Sequence, residues 1–298
     1  MHALCLGGNV FGWVLDEERS FAVLDAYAAA GGNFIDTADV YGGRGEGAGA
    51  SERLIGRWIA ARGNRDQLVI ATKVGMSSER PGLAAATIEA AAEASLARLG
   101  IDTIDLYYAH QDDADTPLQE TLGAFQRLID DGKVRHVAAS NYSAERLARA
   151  LELGGRDGLA RYVALQPHYN LLERDYESEL APLCERERLA CIPYFGLARG
   201  FLSGKYRRGS EIDSPRAAGV RESYFNERGW AVLDALDEIA AAHETAVAAV
   251  ALAWLGAQPT VLAPIASATS PEQLSGLLAA GELELSAPEL ARLSAAGA

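Results

Sequence analysis

Four residues of this chain are of the kinds that move a proton onto an oxygen: Asp36 and Tyr41 in NFIDTADVYG, Lys73 in LVIATKVG, and His110 in IDLYYAH. A free phenol loses its proton only near pH 10, so an isolated tyrosine is a poor acid or base at neutrality. A neighbouring ammonium stabilises the phenolate and lowers that value. An ammonium placed there needs a carboxylate of its own. Asp36, Lys73 and Tyr41 make such a chain, and His110 can donate a hydrogen bond to the same substrate oxygen. A positioned acid of this kind contributes ~10²–10⁴ in rate. The set suits protonation of an oxygen that gains negative charge, and it contains no nucleophile. Each residue alone also has a bland reading: Asp36 as a helix cap, Tyr41 as a core ring, Lys73 as a snorkelling edge residue, His110 as a satisfied core histidine.

Their placement along the chain separates the two readings. Eight short apolar runs recur: ALCLGG, NFIDTA, LVIATKVG, IDLYYAH, RHVAASN, VALQPHYN, ACIPYFG and TVLAPIAS. Amphipathic or Ala-rich segments such as DEERSFAVLDAYAAAG, AATIEAAAEASLARLG and PLQETLGAFQRLIDDG lie between them, several ending in a glycine suited to a left-handed helix cap. Strands alternating with helices imply parallel pairing, and eight such units imply one closed α/β (β/α)8 TIM barrel spanning residues 1–298 as a single domain. In that architecture a site forms where strands end. The strand ends offer Gly7, Gly8 and Asn9, then Asp36 with Tyr41 beyond it, Lys73, His110, Ser140 with Asn141, Gln166, Tyr194 and Ser267. Polar groups thus converge on one rim from eight separate places, and the bland readings become improbable together.

Composition narrows the function classes. Of 298 residues, 49% are hydrophobic and 23% charged, and the net charge of −14 disfavours nucleic acid or an anionic membrane as partner. No apolar run reaches membrane-spanning length and no secretory leader opens the chain, so a cytoplasmic location is expected. Cys5, Cys184 and Cys191 are scattered without CxxC spacing and read as reduced thiols. The five histidines (His2, His110, His136, His168, His243) form no metal-ligand cluster, and no metal is expected. A barrel glycosidase would need two carboxylates flanking one bond, and only Asp36 sits firmly at a strand end. The segment GGRGEGAGASE contains GEGAGA, which formally fits a dinucleotide fingerprint. No strand leads directly into it, so a flexible lid beside Tyr41 is the better reading. The long segment from Leu197 to Gly229 after the seventh run exceeds ordinary loop length, which points to function or disorder. Phe11, Trp13 and Tyr142, with Tyr41, are the expected substrate wall.

GGNFIDTADVYG followed by SERLIGRWI, then ATKVG, DLYYAHQDD, GKVRHVAASNYS, LQPHYNLL and PYFGLARGFLSGKY, resembles the aldo-keto reductases in the right order over nearly the whole chain. The resemblance implies a carbonyl reductase in which Asp36, Tyr41, Lys73 and His110 form the catalytic tetrad. Tyr41 would protonate the carbonyl oxygen while a nicotinamide delivers hydride to the carbonyl carbon. It further implies that Ser140, Asn141 and Gln166 hold the carboxamide and that Tyr194 stacks on the nicotinamide. Leu197, Gly200 and Lys205 would cover the pyrophosphate, with Gly8, Asn9, Asp36, Ser267 and Gln273 as further cofactor contacts. NADPH is the family default. Thr269 and Leu277 stand where a basic residue and an asparagine usually read the 2′-phosphate, so NADH is open too. The usual N-terminal hairpin plug is apparently lacking, because the chain starts almost directly in the first strand. A monomer acting on a small-molecule carbonyl is the expectation. A nicotinamide-binding sensor with little turnover is the alternative on the same barrel.

Overall fold

The computed structural model describes residues 1–42, 47–156, 158–209, 212 and 217–298. Its elements run β1 (Cys5–Gly7), α1 (Glu17–Ala29), β2 (Phe34–Asp36), α2 (Ala50–Arg62), β3 (Val69–Val74), α3 (Ala85–Leu99) and β4 (Ile104–Ala109). Next come α4 (Leu118–Asp130), β5 (Val134–Ser140), α5 (Ala144–Leu153), β6 (Ala164–Gln166), α6 (Leu180–Glu187) and β7 (Ala190–Cys191). The chain ends with α7 (Ala217–Tyr224), α8 (Glu227–Ala242), α9 (Val247–Gly256), β8 (Ile265–Ala266), α10 (Pro271–Leu278) and α11 (Ala287–Ala296). The strands pair in parallel in the order β7-β6-β5-β4-β3-β2-β1-β8. Among the described residues no strand precedes β1.

Pro193 and Pro264, which cannot donate to a ladder, leave β7 and β8 only two residues long. The barrel closes there all the same. Cys191 donates to Thr260 O (2.8 Å), Leu262 to Cys191 O (2.8 Å) and Ile265 to Pro193 O (2.9 Å). The eighth sequence unit therefore departs from simple alternation: α7, α8 and α9 stand between β7 and β8. Part of the expected long loop is helical, as α7, and α9 is buried along nearly its whole length. Such an all-apolar helix belongs inside a protein. Among the described residues no single helix is long and apolar enough to cross a membrane.

The two-residue period of strands explains how the rim is assembled. Inside the barrel Cys5, Phe34, Ala71, Tyr108, Ala138, Ala164, Ile192 and Ile265 form one cluster. Two residues further along each strand direction come Gly7, Asp36, Lys73, His110, Ser140, Gln166, Tyr194 and Ser267. Alternation puts each on the same inward face, one layer above the apolar floor. Register completes the alignment: Gly7 pairs with Asp36, Asp36 with Ala71, and Ser140 with Gln166. At the opposite end, Tyr27 of α1 pins β1 to β2, its hydroxyl donating to Leu4 O (2.6 Å) and accepting from Phe34 N (3.3 Å).

A second buried group sits behind the rim. Glu52 of α2, wholly buried, accepts from Thr72 Oγ1 (2.6 Å) and from Arg98 Nε of α3 (2.6 Å). Asp39 lies beside it with Oδ1 buried and without a partner. Burial first, and then the Glu52 charge, push the Asp39 carboxyl up to about 7, against the pull of Arg98 and Lys73. The folded protein therefore holds a proton that an unfolded aspartate releases near pH 4. Stability is lost as pH rises from about 4 through about 7. Asp39→Asn is expected to melt with the parent at pH 4 but at least about 3 °C higher at pH 8, followed by circular dichroism. Equal midpoints at pH 8 would show that Asp39 carries no such penalty.

Candidate active site

Lys73 is the centre of the rim. Its ammonium is fully buried and donates to Asp36 Oδ2 (2.5 Å), to Thr37 O (2.7 Å) and, at 3.4 Å, to the Tyr41 hydroxyl. It also lies 4.8 Å from the centre of the Tyr41 ring. The other oxygen of Asp36 accepts from Gln166 Nε2 (2.9 Å). His110 meets Tyr41 edge-on, ring centres 6.0 Å apart. The four residues read from the sequence as a proton-moving set thus share one place, joined by contacts between neighbours.

The electrostatics differ from the sequence expectation in one respect. Lys73 was expected to bring the phenol of Tyr41 below its usual range. Instead burial, the largest influence, holds it above 10.0, and the opposing Lys73 charge recovers only part of the shift. The Lys73 ammonium is itself stabilised: burial works against it, but the Asp36 carboxylate, with the Tyr41 hydroxyl beside it, wins. The imidazole of His110 is pushed down to about 2 by burial and then by Lys73, so it is neutral at any ordinary pH. The resting site therefore holds a protonated phenol, a charged lysine and an uncharged histidine. That distribution can donate a proton to an oxygen and cannot readily take one.

These groups open onto a cavity of about 520 Å³. Asp36, Tyr41 and His110 line it, while Lys73 lies beneath. Of the residues expected at the cofactor, Asn9, Ser140, Asn141, Gln166, Tyr194, Leu197, Gly200, Lys205, Ser267 and Gln273 line the same cavity. Several hold one another. Ser140 Oγ donates to Gln166 O (2.8 Å), Asn141 Nδ2 to His110 O (2.8 Å), Tyr194 to Asn141 Oδ1 (2.8 Å), and Ser267 Oγ to Asn9 Oδ1 (2.8 Å). Asn141 adopts a left-handed backbone (φ 55°), which lets its side chain reach back across the rim. Left-handed residues recur after β7 at Phe195, Ala198, Arg199 and Gly200, winding the chain sharply over the cavity mouth.

Three sequence assignments are corrected. Gly8 faces α2, where a β-carbon would meet Ser51 Oγ at 2.9 Å; Gly7 is the glycine on the cavity, with Ser267 Oγ 2.6 Å from that point. Phe11 is wholly buried in the shell between barrel and helices, and Tyr142 bonds Tyr162 (3.0 Å) in the same shell. Neither lines the cavity, whereas Trp13 does. Leu277 is buried on the inner side of α10 and cannot stand in for a cofactor-reading asparagine; Thr269 and Gln273 remain at that end. The four cations of the segment after β7 divide: Arg199 and Lys205 line the cavity, while Arg207 and Arg208 pair with Asp237 and Glu227 at the surface. Of the glycine-rich segment read as a lid, residues 43–46 lie outside the described residues, and Ala50, Ser51 and Glu52 already belong to α2. Met76 was missed as a cavity residue, and Arg199 stands apart from the other arginines of its segment only in the fold. An exposed methionine just past the β3 lysine was the available signal for Met76. Nothing local distinguishes Arg199 from its basic neighbours.

The cavity residues fit a nicotinamide dinucleotide. Gly7 leaves the backbone bare at the point where any β-carbon would collide with Ser267. Arg199 has a buried Nε without a hydrogen-bond partner and lies on the cavity wall with Lys205, two cations suited to phosphate oxygens. Among the described residues, no group of three or more His, Cys, Asp or Glu side chains could hold a metal ion.

Known proteins resemble the chain over nearly all of its length. The chain is 35% identical to norsolorinic acid reductase stcV of Emericella nidulans, over 96% of this chain and 76% of that protein. It is 33% identical to the uncharacterized oxidoreductase YrpG of Bacillus subtilis, over 95% and 88%. Against an aryl-alcohol dehydrogenase of Pestalotiopsis microspora it is 30% identical, over 96% and 76%. The pattern of the Aldo/keto reductase family matches residues 3–298, and the chain belongs to that family.

Proposed function

We propose that this protein reduces an aldehyde or ketone to the alcohol with a nicotinamide cofactor, Tyr41 donating the proton. The observation that carries the reading is the chain Gln166–Asp36–Lys73–Tyr41, which ends in a protonated phenol at the cavity wall. A nicotinamide held by the cavity residues would supply the hydride for the carbonyl carbon. The protein's part is to hold the carbonyl oxygen between Tyr41 and His110. As negative charge grows on that oxygen, the phenol gives up its proton and the Lys73 ammonium, 3.4 Å away, stabilises the phenolate left behind. Asp36 and Thr37 O keep the ammonium aimed, and Gln166 keeps Asp36 aimed. His110, uncharged, orients the oxygen without competing as an acid.

The wall on the substrate side is apolar: Val10, Trp13, Val14 and Met76 line it. Relatives named norsolorinic acid reductase and aryl-alcohol dehydrogenase support the same choice. An aromatic carbonyl compound is therefore the proposed substrate class. NADPH is the proposed cofactor, with NADH usable, because the two cavity residues at that end, Thr269 and Gln273, supply no cation for a 2′-phosphate. Gln273 Oε1 is occupied by the amide and hydroxyl of Thr269, at 2.7 and 2.9 Å. Asn9, Ser140, Asn141, Leu197, Gly200, Lys205 and Ser267 complete the proposed contacts. A cytoplasmic monomer with three buried free thiols completes the reading.

Tyr41→Phe should lower kcat for an aryl aldehyde by at least about a hundredfold while the Kd for NADPH changes less than about threefold. An equal loss of binding would assign Tyr41 a structural role. Burial holds the Tyr41 phenol above its usual range and keeps His110 neutral, so kcat/KM for reduction should stay flat from pH 6 to 9. A titration near pH 6–7 that disappears in His110→Gln would instead assign the acid to an imidazolium. Titrated separately, NADPH should bind tighter than NADH by less than about tenfold, and Gln273→Arg should widen that gap by about tenfold. A parent preference of a hundredfold or more would mean that another cation reads the 2′-phosphate.

A further inference from the structure

The Tyr194 ring is fixed on three sides. Its hydroxyl donates to Asn141 Oδ1 (2.8 Å), and Asn141 is tied in turn to His110 O. Its edge meets Phe195, centres 5.1 Å apart at 71°. One of its faces lies against the imidazole of His168, centres 5.2 Å apart and only 16° from parallel. A parallel backbone bridge joins residues 168 and 194, with Tyr194 N donating to Pro167 O (2.9 Å), so the stack is anchored by main chain as well as by rings. Phe195 closes the stack from the side, 5.3 Å from His168 at 76°. Tyr194 lines the cavity and His168 does not, which places the imidazole on the far side of the tyrosine and leaves one face of Tyr194 open.

The Nε2 atom of His168 is buried and has no hydrogen-bond partner, so the ring is not held there by a polar contact at that atom. Burial is the leading influence and keeps the imidazole below its ordinary range. Glu173 and Asp175 of the β6–α6 connection oppose it, and Arg199 of the segment after β7 adds to it. The ring behind Tyr194 is thus flat and neutral near pH 8. A tyrosine face held in this way offers its negative quadrupole to whatever stacks on the open side. A cation gains more from that face than a neutral ring does. The two redox forms of a nicotinamide differ in this property: the oxidised pyridinium carries a positive charge and the reduced ring does not.

We infer that His168 is a positioning residue which, as a flat ring behind Tyr194, sets how tightly the oxidised pyridinium is held relative to the reduced ring. The inference rests on the proposed cofactor site. His168 touches neither the substrate nor the reacting atoms and acts through the angle of Tyr194. Without the backing ring Tyr194 can tilt about its hydroxyl anchor, and the cation–π contact, the stronger of the two stacks, has more to lose when the face turns away.

The test is to titrate the parent protein, His168→Ala and His168→Phe with NADP⁺ and with NADPH separately at pH 8, following quenching of tryptophan fluorescence. Trp13 on the cavity wall is a reporter. Circular dichroism melts of the cofactor-free proteins accompany the titrations. His168→Ala should raise the Kd for NADP⁺ about tenfold and for NADPH no more than about threefold, whereas His168→Phe, which restores a flat neutral ring, should keep both within about twofold of the parent. Equal weakening of both forms in His168→Ala, or none, would overturn the inference, as would a His168→Phe protein that melts like the parent yet binds like the alanine variant. Failure of the parent protein to bind either form would overturn the cofactor site itself, a distinct result.

Discussion

A lysine with no exposed surface is the constraint around which this protein is organised. Burying an ammonium costs several kcal/mol unless charge and hydrogen bonds are returned to it. Lys73 regains them from Asp36 and Thr37 O on the adjacent strand, and its remaining reach is toward Tyr41. Asp36 in turn depends on Gln166, which arrives from across the barrel. Truncating either charged partner would leave the other buried and unpaired. The closed parallel barrel meets this demand because it delivers one inward side chain from each strand at the same height, over a floor of small and aromatic apolar residues.

Under the proposed function, that arrangement also sets the direction of the chemistry. Lys73 does not acidify Tyr41 below an ordinary phenol; burial outweighs the ammonium. The ammonium matters once the proton has left, when an anion would otherwise stand alone in a dry site. Catalysis of this kind is stabilisation of charge that develops during the reaction. A neutral His110 serves the same end, since an imidazolium beside Lys73 would repel it. The second buried cluster, Asp39 with Glu52, Thr72 and Arg98, lies behind the same strands and crowds two carboxyls against one guanidinium. Its cost is borne by stability, close to the segment that carries Tyr41.

The cavity above the rim is lined by two unlike sets of residues. Val10, Trp13, Val14 and Met76 are apolar, without a fixed charge to select an ionic substrate. Arg199 and Lys205 hang from a chain segment wound through left-handed residues, and Tyr194, its ring clamped, lines the cavity with them. Under the proposed function, a carbonyl compound and a reduced pyridine ring meet where Tyr41 and His110 open onto it.

Much of this was legible without coordinates. Eight apolar runs, a polar residue at the end of each and the two-residue period of a strand fix which side chains share the barrel rim, because alternation is a local property of extended backbone. What local pattern cannot decide is which way a residue beyond a strand end turns. Gly8, Phe11, Tyr142 and Leu277 follow strand ends or lie on helices, and in the fold they pack outward or into the shell between barrel and helices. Met76 and Arg199 turn inward instead. ACIPYFG and TVLAPIAS were legible as strands, but not how short they are or how the barrel closes between them: Pro193 and Pro264 remove ladder donors, and closure comes from Cys191, Leu262 and Ile265 hydrogen bonds between residues some seventy apart in sequence. Sequence also named the charges around Tyr41 but not how deeply they are buried. The sequence by itself determined the residue types, their order and their common face. Burial, the sign of the Tyr41 shift and the stacking of His168 on Tyr194 were decided only by tertiary structure, since each depends on atoms brought together from distant parts of the chain.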